Sequence, residues 1–197
     1  MAFALLNKRG QFPTYIATGV KLVYRYVKNM IRKYTSSDLE ALRKITIICF
    51  ERVSIDKNIE DEYGLIDAVD WKTRKAKHIE ADVKINPEGV FIAEVDNQVV
   101  GYITTRINQI TKIGEIPNLA VHPKFQQQGL GRQLIQASLD YFRQEGMHMA
   151  KIETLEQNPV GTTFYPKMGF TEIARQIHYV QPLNHEAPDR DLANDQE

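Results

Sequence analysis

The chain has 197 residues, 43% of them apolar, and 25 Lys+Arg stand against 25 Asp+Glu. That length and composition predict one globular domain with a real hydrophobic core and exclude a wholly disordered chain. The zero net charge argues against nucleic-acid binding by global electrostatics and leaves only a local basic patch open, so no nucleic-acid partner is expected. The lone Cys49 excludes an intramolecular disulfide and a multi-cysteine zinc site. No run of about 18 apolar residues is present, so no transmembrane helix and no membrane partner are expected.

Residues 1–37 carry no acid and seven bases: Lys8, Arg9, Lys21, Arg25, Lys28, Arg32 and Lys33. This composition is that of an organellar transit segment, but Val20, Leu22, Val23 and Val27 have the look of ordinary structural residues. The favoured reading is an N-terminal basic extension over 1–28 on a cytoplasmic protein. Organellar import is the alternative. The main domain is placed at 29–183. Residues 184–197 hold five acids and one base and are expected to form an acidic, disordered tail.

In chain order, Ile31–Tyr34 reads as a short strand. Ser37 and Glu40 fit a capping box, with Ser37 as N-cap. Leu39, Leu42, Ile45, Cys49 and Val53 then recur at helical spacing, which makes Cys49 a core residue and not a nucleophile. Residues 56–70 are acidic and 71–84 basic, a pattern typical of solvated helix faces. Two β-rich runs, 90–95 and 99–106, flank Asp96-Asn97, which predicts a hairpin. A strand follows over 114–121. A helix over 129–145 buries Leu130, Leu134, Ile135, Tyr141 and Phe142, and Gly146 stops it. Lys151–Leu155 is expected to be a strand, 160–164 a short helix cut by Pro166, and Thr171–Val180 a last strand or strand pair.

The most informative stretch is Gln126-Gln127-Gln128-Gly129-Leu130-Gly131-Arg132. A glycine-rich turn that opens a helix aims unpaired backbone N–H groups and the positive helix end at one point, which suits a phosphate or pyrophosphate. A dinucleotide fingerprint is excluded because Leu134 occupies its third glycine position, and a P-loop because no G-K-[ST] follows. What remains is Q/R-x-x-G-x-G/A, carried by Gln126, Gly129 and Gly131.

Upstream stands Asn118-Leu119-Ala120-Val121-His122-Pro123, and downstream Asn158 and Phe164-Tyr165-Pro166-Lys167-Met168-Gly169-Phe170. Taken together, these pieces resemble the GNAT-type N-acetyltransferases over roughly residues 30–182. The resemblance implies an α/β (α+β) fold: a mixed, mostly antiparallel sheet flanked by helices, with two splayed central parallel strands, here ending near Val121 and Leu155. It implies acetyl-CoA as co-substrate and no metal. Leu119, Ala120 and Val121 would bond the pantetheine arm. Gln126, Gln127, Gln128, Gly129, Leu130, Gly131 and Arg132 would hold the pyrophosphate. Asn158, Tyr165 and Lys167 would complete the cofactor site. Gln127 replaces a frequent arginine, a role Arg132 could take, and Gly161 replaces a frequent alanine.

The implied reaction is direct attack of a primary amine on acetyl-CoA in a ternary complex. Tyr165 is expected to be the acid near the thioester sulfur. A backbone N–H near Val121 would stabilise the oxyanion. Glu115 is the expected base, with His122 and His178 as alternatives. Alternation along the strand would place Glu115, Pro117 and Leu119 on one face. The acceptor is an amine on a small molecule or a protein, and the acidic run near Glu60–Asp70 is one feature able to attract it. The protein is expected to be a monomer or homodimer. The alternative function is a catalytically silent acyl-CoA-binding sensor or interaction module.

Overall fold

A computed structural model describes residues 13–18, 21–26 and 29–183. The expectations for residues 1–12 and for the acidic tail at 184–197 lie outside the described residues. Within the basic N-terminal stretch, β1 (Pro13–Thr18) and β2 (Lys21–Tyr26) pair as an antiparallel hairpin, a sheet separate from the main one.

The main sheet has five strands in the order β3-β4-β5-β6-β7. They are β3 (Asn29–Lys33), β4 (Phe91–Val95), β5 (Gln98–Asn108), β6 (Ile113–Val121) and β7 (Met149–Ile152). All neighbours are antiparallel except β6 and β7, which run parallel. The hairpin turn falls where the sequence places it. Asp96 (φ 48°) and Asn97 (φ 65°) both adopt the left-handed conformation of a type I′ turn.

Helices cover both faces. On one lie α1 (Leu39–Phe50), α2 (Ile55–Tyr63) and α3 (Trp71–Ile85), and on the other α4 (Leu130–Gln144). Leu42, Ile45, Ile79, Val83, Tyr102 and Ala120 form the core of the first face. Leu130, Leu134, Ile135, Phe142, Ile103 and Ile116 form that of the second. Among the described residues no helix is long and apolar enough to cross a membrane.

Several expectations need correction. The chain enters α1 through a tight turn at Ser36–Asp38, and Thr35, not Ser37, precedes it. The Thr35 N–H donates to the Asp38 carboxylate (2.8 Å), while Glu40 points outward to Arg43 (3.2 Å). The charge blocks are not simply solvated: Asp56 and Glu60 of α2 face Arg74 of α3 at 3.7 and 3.6 Å, all three half-buried, and His78 adds a contact to Asp56. These charges pack the two helices together. No strand forms over 171–180, where Ile173 (89%) and Tyr179 (88%) are exposed. The segment is tied instead by Arg175 to Glu156 (2.6 Å) and by the Tyr63 hydroxyl to the Val180 carbonyl (3.4 Å). β7 is therefore an edge strand among those described, not a central one, and it ends at Ile152 instead of Leu155.

Asp38 anchors the start of α1 to the sheet. Arg32 of β3 donates to both of its oxygens (2.8 Å each) and to Glu94 (2.7 Å). The Arg32 guanidinium, helped by Thr35, holds the Asp38 carboxyl below its ordinary value. A lowered folded-state pKa adds stability above the unfolded carboxyl value of roughly 3.9, and that stability is lost as pH falls through the folded value. Asp38→Asn should therefore lower Tm at pH 7 and narrow the Tm gap between pH 7 and pH 3. An unchanged gap, measured by calorimetry, would show that the pair contributes nothing to acid sensitivity.

Candidate active site

The site begins with a defect in β6. Thr104 of β5 pairs with Asn118, but Arg106, two residues on, pairs with Glu115, three residues back. Ile116 and Pro117 thus oppose Thr105 alone, which is a β-bulge. Pro117 suits this place because it has no N–H to give to a ladder. The extra residue switches the faces of the strand. Gly114, before the bulge, lies against Phe142 of α4. Asn118, after it, bonds to Asp82 of α3. The alternation expected for Glu115, Pro117 and Leu119 is broken: Glu115 shares the α3 face with Asn118, and Leu119 packs with the α4-side core.

Beyond the bulge β6 loses its parallel neighbour. β7 pairs with residues 113–116 only. The His122 N–H donates to the Val100 carbonyl (2.8 Å), so the even residues 118–122 bond toward β5 and the odd ones turn away from it. The backbone of Leu119 and Val121 therefore faces the gap. The Val121 carbonyl there accepts from Gln126 Nε2 (2.9 Å) and Cys49 Sγ (3.4 Å). Among the described residues Leu119 N–H, Leu119 C=O and Val121 N–H have no strand beside them, an edge of the kind to which an extended arm can add as a strand. The side chain of Ala120 points into the α1-side core.

At the end of β6 the chain turns through His122 and a short turn at Pro123–Phe125 into the glycine loop. His122 Nδ1 accepts the Lys124 N–H (3.2 Å), a capping duty. Gln127 (φ 60°) and Gly129 (φ 79°) both take left-handed conformations. The first N–H to close on the helix is that of Gln133, onto the Gly129 carbonyl (3.1 Å). Those of Leu130, Gly131 and Arg132 precede the ladder and point out of its positive end. Gln126 braces the loop to the strand, and Gln127, Gln128 and Arg132 are exposed. This cradle, next to an open strand edge, fits a molecule with a pyrophosphate and an amide-bearing arm.

Helix α5 (Pro159–Lys167) closes the α4 side. The Phe164 ring lies 3.4 Å from where a Gly131 Cβ would stand, so the loop and α5 are in contact. Tyr165 follows, half-buried between Phe164 and Phe170 (centroids 5.8 and 6.3 Å). Its hydroxyl makes no hydrogen bond to any described residue, and burial pushes the phenol up to about 12. Asn158 caps α5, accepting the Gly161 N–H (3.2 Å) and donating to Thr154 Oγ1 (2.9 Å). A Cβ at residue 161 would collide with that Thr154 hydroxyl, which explains glycine there. Lys167 is exposed in the last turn.

Glu115 stands apart from this group, on the opposite face. It accepts from Lys151 (2.9 Å) and borders a cavity of about 190 Å³ lined by Arg106, Ile116, Pro117, Lys151 and Glu153. His178 lies in the exposed segment after α5. Cys49 is half-buried, and burial pushes its thiol up to about 11. Sequence reasoning missed the buried Asp82 and the half-buried Lys75, because α3 reads as a basic solvated helix. The only signal was Asn118, a buried amide that needs partners.

The acetyltransferase (GNAT) family model matches residues 48–170, more than half of the chain. The chain belongs to the GNAT family. The matched span runs from α1 to the end of α5 and contains the bulge, the gap and the glycine loop. Curated relatives include mycothiol acetyltransferases from Thermomonospora curvata (30% identical over 115 residues, 58% of this chain and 38% of the relative). Another, from Streptomyces griseus, is 31% identical over 110 residues, 56% of this chain and 34% of the relative. The chain thus spans well under half the length of these relatives. Among solved structures, a PaiA N-acetyltransferase from Thermoplasma acidophilum with coenzyme A has TM-score 0.58 at 19% identity, covering 71% of this chain and 87% of that one. The ribosomal-protein-S18-alanine N-acetyltransferase from Escherichia coli has TM-score 0.55 at 21% identity, covering 75% and 80%. At such identities the structures speak for the GNAT fold.

Proposed function

We propose that this GNAT protein transfers an acetyl group from acetyl-CoA to a primary amine by direct attack in a ternary complex, in the cytoplasm. The observation that carries the reading is the coincidence of two features at the end of β6. One is a strand edge freed from its parallel partner, and the other is a helix whose first N–H groups converge beside it. The Gln126–Arg132 loop would hold the pyrophosphate, with Arg132 as the nearby cation. Leu119 and Val121 would bond the pantetheine arm, and the Val121 N–H would meet the thioester oxygen as charge develops. Acetyl-CoA supplies the activated thioester.

The phosphate loop and Tyr165 lie on the α4 side and Glu115 on the α3 side. Donor and acceptor are thereby given opposite approaches to the gap, and the cavity beside Glu115 is the acceptor's entry. The amine must arrive or become unprotonated, since alkyl ammonium groups have pKa values of roughly 10.4. Glu115 takes that proton, directly or through one water. Lys151 holds the carboxylate in place. Asn158 and Lys167 serve the cofactor side at a distance, the first by setting the start of α5.

Glu115→Gln tests the base. It should lower kcat/KM by roughly a hundred- to ten-thousandfold near pH 7, and part of the loss should return as pH rises and solution supplies free amine. A loss constant from pH 6 to 10 would make Glu115 a positioning group. No loss at any pH would pass the role to His122, His178 or solvent.

A further inference from the structure

Beneath the bulge lies a buried polar cluster that the reaction as described does not use. Asp82 of α3 is 2% exposed and Asn118 4%, and Thr104 is fully buried. Asp82 Oδ2 accepts from Asn118 Nδ2 (2.6 Å), and the same Nδ2 donates to Thr104 Oγ1 (3.1 Å). Asp82 Oδ1 accepts from Arg106 Nε (3.0 Å) and from a second guanidinium nitrogen. Lys75, two turns earlier on α3, donates to Asn118 Oδ1 (3.3 Å) and rests over the Phe50 ring.

The partners of Asp82 are not scattered. Thr104 and Arg106 flank the bulge on β5, and Asn118 is the first paired residue after it on β6. Burying a carboxylate is costly unless every lone pair finds a donor. Those donors come from both strands at the one place where their register slips. Resting on the proposed acetyl transfer, we propose that Asp82 is a positioning residue: it clamps the β6 bulge to α3 and so fixes the direction of the Leu119 and Val121 backbone groups in the gap. Without the clamp the extra residue could move along β6, and a slip of one residue turns each of those groups the other way.

The cluster allows an exchange test. Asp82→Asn leaves one amide facing donors on both sides, Arg106 and Asn118. Asn118→Asp sets two carboxylates against each other. The double exchange restores every bond: the new amide at 82 accepts from Arg106 and donates to the carboxylate at 118, which accepts from Thr104 and Lys75. Acetyl-CoA Kd by calorimetry and kcat should be measured at a temperature where circular dichroism shows all proteins folded. Each single variant should weaken acetyl-CoA binding and kcat by about tenfold or more, and the double should recover to within about threefold of wild type. Arg106→Gln, at a side chain 44% exposed, keeps the test open if a buried variant does not fold, and it should weaken acetyl-CoA binding about three- to tenfold. Folded single variants with wild-type Kd and kcat, a double no better than the singles, or an unaffected Arg106→Gln would overturn the clamp. Failure of the wild type to bind acetyl-CoA would instead overturn the functional reading itself.

Discussion

Tyr165→Phe should reduce kcat by roughly a hundred- to ten-thousandfold, the range of a lost proton-donating group, while acetyl-CoA affinity changes little. The substitution keeps the ring between Phe164 and Phe170 and deletes only a hydroxyl that has no partner among the described residues. Burial lifts this phenol to about 12. On the proposed mechanism the hydroxyl would donate to the leaving sulfur as the C–S bond breaks, and its proton would be replaced from solvent or from the protonated nitrogen of the tetrahedral intermediate. A raised pKa also keeps the phenol protonated as pH rises, so the rate should show no tyrosine ionisation up to about pH 11. Wild-type turnover in Tyr165→Phe, where chemistry limits the rate, would reduce Tyr165 to packing.

Gly131→Val should weaken acetyl-CoA binding by about tenfold or more without unfolding the protein. Gly131 lies at an ordinary negative φ inside the first turn of α4, and a Cβ there meets nothing closer than 3.4 Å. Valine is a better helix former than glycine by a few tenths of a kcal/mol, which offsets part of the crowding of its γ carbons against the Phe164 ring, and circular dichroism checks that the variant is folded. The added side chain tilts toward the helix N-terminus and occupies the approach to the converging N–H groups. Gly129 is the poorer probe. Its φ of 79° strains any β-branched residue, so Gly129→Val would confound lost binding with a distorted loop. Unchanged affinity in Gly131→Val by calorimetry would remove the loop from the cofactor site.

Local signals in the sequence sufficed for much of the fold. The Asp96-Asn97 hairpin, the amphipathic α4 and the glycine loop each depend on residues a few positions apart, and each stands where expected. The errors come from tertiary effects. A bulge at Ile116-Pro117 depends on what β5 and α3 offer, so strict alternation placed Glu115 and Leu119 on one face. The segment 171–180 carries residues that suit a strand, Ile173, Ile177, Tyr179 and Val180, but such residues do not supply a pairing partner. Asp82 was overlooked for the converse reason: its burial is set by Arg106 and Asn118, distant in sequence, and α3 by itself reads as solvated. Gly161 looked like a departure from the family pattern until the Thr154 hydroxyl was seen to fill the space of its missing Cβ.

Whether the gap beside β6 and the loop after it serve acetyl transfer to an amine is decided by following thiol release from acetyl-CoA against a panel of primary amines, with acetylated product measured in parallel. Release should require an amine, match product one to one, and fall sharply in Tyr165→Phe. Saturable binding of acetyl-CoA with no amine-dependent thiol release across the panel would contradict that role and leave an acyl-CoA-binding module.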